Sequence, residues 1–84
     1  EEYPQKLESF KVPSKPPLET LTDFQNLLKE ADAALGKNGR QLIRYSGTEN
    51  KARVLVEHPD AEIVSHWATR LSQALLEAIT NATH

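Results

Sequence analysis

The sequence contains no cysteine and no methionine. Without cysteine there can be neither disulfide staples nor thiolate metal ligands, so a packed core must carry the stability. The three histidines, His58, His66 and His84, show no metal-ligand spacing among themselves, and no metal site is expected. No apolar run approaches the roughly 18 residues needed to cross a bilayer, and no charged-then-apolar leader opens the chain. A soluble, unexported, cytoplasmic protein without a membrane partner is therefore expected. Positive charge is not in excess either. A net charge of −2 argues against broad attraction to nucleic acid or anionic membranes, because a polyanion partner demands a basic face. With 84 residues, 38% of them hydrophobic and 26% charged, the chain suits one small domain over residues 1–84 with a modest core and no deep cleft of its own. That excludes a complete small-molecule enzyme. The opening "EEYPQK" has no start residue, and a fragment of a longer protein is expected.

"YPQKLESFKV" (residues 3–12) places Leu7, Phe10 and Val12 along an extended strand. Pro13, Pro16 and Pro17 stop it, since proline cannot donate to a ladder and restricts the residue before it; "PSKPPLE" is a stiff connector. A helix follows, with Thr22 and Gln25 spaced as a capping box and Phe24, Leu28, Ala31 and Leu35 in one stripe beside Leu27. Gly36 closes it by tolerating the left-handed conformation of helix ends. "RQLIRY" and "ARVLVE" read as two antiparallel strands joined by a six-residue hairpin loop. The last helix starts at Asp60 as cap and carries Ile63, Trp67, Leu71, Leu75 and Ile79 on one face. The order β-α-β-β-α, with two one-faced helices, predicts an α+β fold: a small antiparallel sheet of three to four strands with both helices packed on one side.

The stretch "RYSGTENKAR" (residues 44–53) holds far more hydrogen-bonding chemistry than a turn requires. Gly47 alone would meet the backbone demand of a hairpin. Ser46 and Thr48 add hydroxyls, the amides from Ser46 to Asn50 can converge, and Arg44 presents a planar fork, which together match a tetrahedral oxyanion. From Lys37 to Arg53 five cations (Lys37, Arg40, Arg44, Lys51 and Arg53) face the single acid Glu49, a compact positive patch. Phosphate is the obvious ligand. The same residues are also ordinary turn formers with solvated arginines, and composition does not decide between the two. Ser46 lacks a base at any position that would make it a nucleophile, and Glu49 and Glu57 do not form a carboxylate pair. No catalytic residue is expected in this chain.

"GRQLIRYSGTENKARVLVE" (residues 39–57) resembles the C-terminal domain of the α-D-phosphohexomutases, the phosphoglucosamine mutase branch most closely. The family motif there reads R-x-S-G-T-E-P, preceded by "GR" and a short apolar strand and followed by one written like I-R-V-x-V-E. "SKPPLETL", a helix ending in "ALG" and the closing helix extend the likeness over nearly the whole chain. The resemblance implies a fold like that of the TATA-binding protein, with about four strands where the pattern yields three. It also implies that the domain binds the substrate's phosphate and swings to close the cleft of a four-domain enzyme. Carried over, Arg44, Ser46, Gly47, Thr48 and Asn50 would cradle the phosphate, with Arg53 the next candidate. The partners would be a phosphosugar and the other domains of the parent.

Asn50 stands where the motif often has proline, which makes the loop less rigid. Nothing in the chain matches the family's phosphoserine segment (T-A-S-H-N-P), metal loop (D-G-D-G-D-R) or sugar-reading loop (G-E-x-S-G-H). The resemblance thus places Mg²⁺ and the phosphoserine elsewhere in the intact enzyme, with no cofactor in this domain. Two rivals from other classes remain: a nucleic-acid module using the basic hairpin with Tyr45 for stacking, and an interaction domain whose loop meets a carboxylate-rich partner.

Overall fold

A computed structural model describes residues 3–83. Glu1 and Glu2, part of the opening "EEYPQK", and His84, one of the three histidines, lie outside the described residues. The elements follow the expected order: β1 (Gln5–Lys11), α1 (Thr22–Leu35), β2 (Arg40–Tyr45), β3 (Lys51–Glu57) and α2 (Ala61–Ala82). A short 3-10 turn, Leu18–Thr20, lies in the connector after the prolines. The three strands form one antiparallel sheet in the order β1-β3-β2. Among the described residues there is no fourth strand, so the three read from the pattern are the sheet.

Register explains the alternation in the strands. Ala52, Val54 and Val56 of the central strand are fully buried, while Arg53, Leu55 and Glu57 point to the opposite face, as a period of two requires. Val54 lies between Glu8 and Ile43, and Ala52 between Phe10 and Tyr45. Both helices cover this inner face: α2 lies against β1 and β3, and α1 packs on α2 and reaches β2. The core is formed by Phe24, Ala31 and Leu35 of α1, Val64, Trp67, Ala68, Leu71, Leu75 and Ile79 of α2, and the inward residues of β3. Each fully buried Leu or Ile contributes about 1.5–3 kcal/mol relative to exposure. Trp67 is part of this core, with the Arg70 guanidinium 5.3 Å from its ring centroid. No helix among the described residues is long and apolar enough to cross a membrane.

Helix ends carry the local signals with one correction. Asp60 caps α2 as expected, its Oδ1 accepting from the Glu62 amide at 2.9 Å. Gly36 ends α1 with φ 67°. The Thr22–Gln25 capping box does not form: Thr22 is already the first helical residue, the cap position is Leu21, and no side chain caps it. Gln25 Nε2 instead donates to the Leu18 carbonyl at 2.9 Å, tying the helix back to the 3-10 turn. Gly39 is required by a close approach, since an added Cβ would meet His58 Cδ2 at 2.8 Å and the Leu35 carbonyl at 2.9 Å. That contact fixes the exit of α1 against the entry of β2 and so aims the hairpin.

Candidate anion-binding site

The hairpin between β2 and β3 gathers the predicted residues in two groups. Arg44 and Arg53 are partners across the β2–β3 ladder and point to the helix-free face of the sheet, where both are exposed. Among the described residues neither is in an ion pair. Like charges directly opposite each other destabilise a sheet, and no acid among the described residues offsets this pair. Ser46, Gly47, Thr48 and Asn50 form the loop that caps the strands.

The loop amides do not all converge, contrary to the expectation. Ser46 N donates to the Lys51 carbonyl at 2.9 Å, and the Thr48 and Glu49 amides approach Ser46 Oγ at 3.4 and 3.3 Å. Among the described residues the amides of Gly47 and Asn50 have no acceptor. Two free donors therefore remain of five among the described residues. Ser46 Oγ, accepting from the loop, keeps its own hydrogen to donate. Glu49 is the one acid here, and its carboxylate lies 3.2 Å from Lys51 Nζ, which neutralises it locally.

Gly47 differs from its expected role. Among the described residues Gly36 alone has φ in the left-handed region, and a Cβ added at Gly47 would meet nothing within 4 Å. The turn itself does not need this glycine. What it provides is bare backbone, over which another molecule can approach the amides closely.

The positive patch is also smaller than a count suggests. Arg40 sits at the far end of β2, its Nε donating to Glu57 Oε1 at 2.8 Å, so strand direction removes it from the loop. Tyr45 turns inward, half-buried, and its hydroxyl donates to the Pro16 carbonyl at 2.6 Å. Burial raises its phenol above the usual value near 10. The aromatic needed for base stacking is thereby occupied in the fold, which weakens the nucleic-acid alternative.

Sequence reasoning missed one residue at the loop. Lys15, from the proline connector, donates from Nζ to the carbonyls of Ser46 at 3.1 Å and Glu49 at 3.3 Å. Its separation of more than thirty positions from the loop left no local signal; the stiffness of the surrounding prolines was the one clue.

Residues 7–74 match the family described as phosphoglucomutase/phosphomannomutase, C-terminal domain. The chain belongs to this family. Among curated relatives it is 42% identical over 77 residues to phosphoglucosamine mutase of Syntrophobacter fumaroxidans, covering 92% of this chain and 17% of that protein. It is 50% identical over 71 residues to the enzyme of the same name from Helicobacter pylori strain G27, covering 84% of this chain and 15% of that one. A crystal structure of Aspergillus fumigatus N-acetylphosphoglucosamine mutase in complex with GlcNAc-6P and magnesium superposes over 92% of this chain and 16% of that one, with a TM-score of 0.71 at 24% identity. The chain thus spans about a sixth of the length of the proteins it matches.

On this phosphoglucomutase/phosphomannomutase C-terminal domain, the arginine pair opens onto a shallow groove of about 210 Å³ lined by Leu7, Leu42, Arg44, Arg53 and Leu55. Leu7 and Leu42 flank Leu55 in one row across the sheet. The helix-free face therefore carries an aliphatic row beside the cationic row. Among the described residues no group of three histidines or carboxylates is placed to hold a metal ion.

Proposed function

We propose that the chain is the substrate-phosphate-binding, C-terminal domain of a phosphoglucosamine mutase-like enzyme, which moves phosphate between the 6- and 1-positions of a hexose in the cytoplasm. The observation that carries this reading is the Arg44–Arg53 pair, side by side and without a counter-ion among the described residues, next to a loop with two amides that find no acceptor there. A phosphate monoester supplies the charge the arginines lack and the acceptors the amides lack. Arg44 and Arg53 contribute the charge, Gly47 and Asn50 the outward amides, and Ser46 and Thr48 the hydroxyls.

The domain's role is positional. Holding the phosphate that does not react puts binding energy into orienting the one that does. Closing the domain over the sugar excludes water, which would otherwise take the phosphoryl group. Mg²⁺ and the phosphoserine belong, in this reading, to the rest of the enzyme, and the isolated chain has no mutase activity.

Titration of the ¹⁵N-labelled chain with inorganic phosphate, glucosamine 6-phosphate and a short oligonucleotide tests the reading. The two phosphates are expected to bind in roughly the millimolar range, since an open loop lacks the desolvation of a closed cleft. Gly47 and Asn50 should move together with the guanidinium resonances of Arg44 and Arg53. Largest shifts on the exposed face of α2, or tighter binding of the oligonucleotide, would reject it.

A further inference from the structure

We propose that Lys15, outside the phosphate-loop motif, is a positioning residue that turns the amides of Gly47 and Asn50 toward the ligand; this rests on the phosphate-binding reading of the loop. A trans peptide group is planar, with its C=O and N–H pointing in opposite directions. The Ser46 carbonyl shares a peptide plane with the Gly47 amide, and the Glu49 carbonyl shares one with the Asn50 amide. Lys15 Nζ holds those two carbonyls, at 3.1 and 3.3 Å. The amides behind them are the two that find no acceptor among the described residues. One ammonium group thereby bears on both free donors of the loop: it is the partner of the Ser46 carbonyl, and it shares the Glu49 carbonyl with the Lys51 amide, which donates to it at 2.9 Å.

Lys15 is itself held in place. Pro13, Pro16 and Pro17 fix φ through the connector. Val12 N donates to the Asn50 carbonyl at 2.8 Å before Lys15, and Tyr45 Oη donates to the Pro16 carbonyl at 2.6 Å after it. The connector is thus anchored to the loop at Asn50 and to β2 at Tyr45, and Lys15 lies between the anchors. A lysine suits the task because its rotatable ammonium has three donors and no acceptor, so two carbonyls can share it. Its charge also lies beside the loop, where it adds to the field an anion meets.

Three variants of the 84-residue chain, Lys15→Ala, Lys15→Gln and Lys15→Arg, separate a positioning role from a solvated lysine. In the ligand-free Lys15→Ala chain the Gly47 and Asn50 amides should shift and lose their heteronuclear NOE, while the thermal midpoint stays within about 2 °C of wild type, as expected for an exposed site. Affinity for inorganic phosphate should fall about five- to tenfold, a loss comparable to one ordinary hydrogen bond. Lys15→Gln, too short and uncharged, should lose as much and serves if the alanine variant folds poorly; Lys15→Arg should restore affinity to within about threefold, since it keeps charge and donors. A wild-type chain that ignores phosphate would overturn the phosphate reading and this inference with it. A wild-type chain that binds phosphate, beside an alanine variant that binds as well with unmoved Gly47 and Asn50 amides, would overturn the Lys15 inference alone.

Discussion

The central strand β3 has two faces that obey different rules. Inward, Ala52, Val54 and Val56 are 0% exposed and belong to the apolar core under the helices. Outward, Arg53 faces Arg44 across the ladder, and Leu55 sits between Leu7 at 58% and Leu42 at 43% exposure. The inner face is explained by burial alone. The outer face is not: two arginines side by side, with no acid partner among the described residues, cost electrostatic energy, and large exposed leucines gain nothing in a lone domain. Residues that burial does not explain are the candidates for contact with a ligand or a neighbouring domain.

The sharpest way to test that division is a change on each side. Leu71→Ala empties a fully buried site in α2 and should cost about 2–5 kcal/mol. At about 4–8 °C per kcal/mol for a domain of this size, the fall in midpoint will be plain in a circular dichroism melt. Phosphate affinity measured well below that midpoint should be unchanged. A variant that melts normally would mean the core is not where packing places it.

The outer face should give the opposite result. In the intact enzyme, Arg44→Lys keeps the charge but loses the rigid fork that, in the proposed reading, bonds two phosphate oxygens. Losing a contact of about 1.5–3 kcal/mol lowers kcat/KM about ten- to a hundredfold, with no change in the melt. A grip equal in ground and transition states raises KM; a grip that drives closure also lowers kcat. Unchanged kinetics would remove Arg44 from the site.

Much of the inner face was legible in the sequence because periodicity reports burial directly. The stripe from Phe24 to Leu35, the Trp67 and leucine face of α2, the Asp60 cap and the Gly36 terminator are all local patterns, and each is found in place. Local patterns fail where a competing partner is distant. Thr22 and Gln25 have capping-box spacing, yet Gln25 reaches Leu18 in the preceding turn. The candidate site was legible as composition but not as geometry. Counting cations placed Arg40 beside the loop, whereas strand direction carries it to the far end and pairs it with Glu57. Lys15 belongs to the loop through contacts across 31 and 34 positions, which no spacing rule detects.

Two glycines refine the comparison further. Gly39→Ala would force a Cβ to within 2.9 Å of backbone and should cost about 1–3 kcal/mol through overpacking. Gly47→Ala meets open space and should leave the melt within about 0.5 kcal/mol of wild type. Its effect should appear in binding alone, as a several-fold weaker response to phosphate in the same titration. Should Gly47→Ala bind normally, the bare backbone at this position has no part in recognition.

Tyr45 joins the two faces: its ring lies on the inner side, and its hydroxyl holds the connector that carries Lys15. Tyr45→Phe removes one hydrogen bond and should cost about 0.5–1.5 kcal/mol at neutral pH. Burial raises the phenol's pKa in the folded chain, so above pH of about 10 the unfolded chain gives up this proton more readily than the folded one. Stability linked to Tyr45 is then complete below that pH and declines as pH rises through the folded pKa. Ionisation also removes the hydrogen that the Pro16 carbonyl accepts. Wild type and Tyr45→Phe should therefore differ in melting midpoint by a constant amount from pH 6 to 9, and the gap should narrow as the solution becomes more alkaline. A gap that stays constant to pH 11 would mean that the phenol ionises as easily in the folded chain as in the unfolded one, and that its bond to Pro16 does not hold the connector.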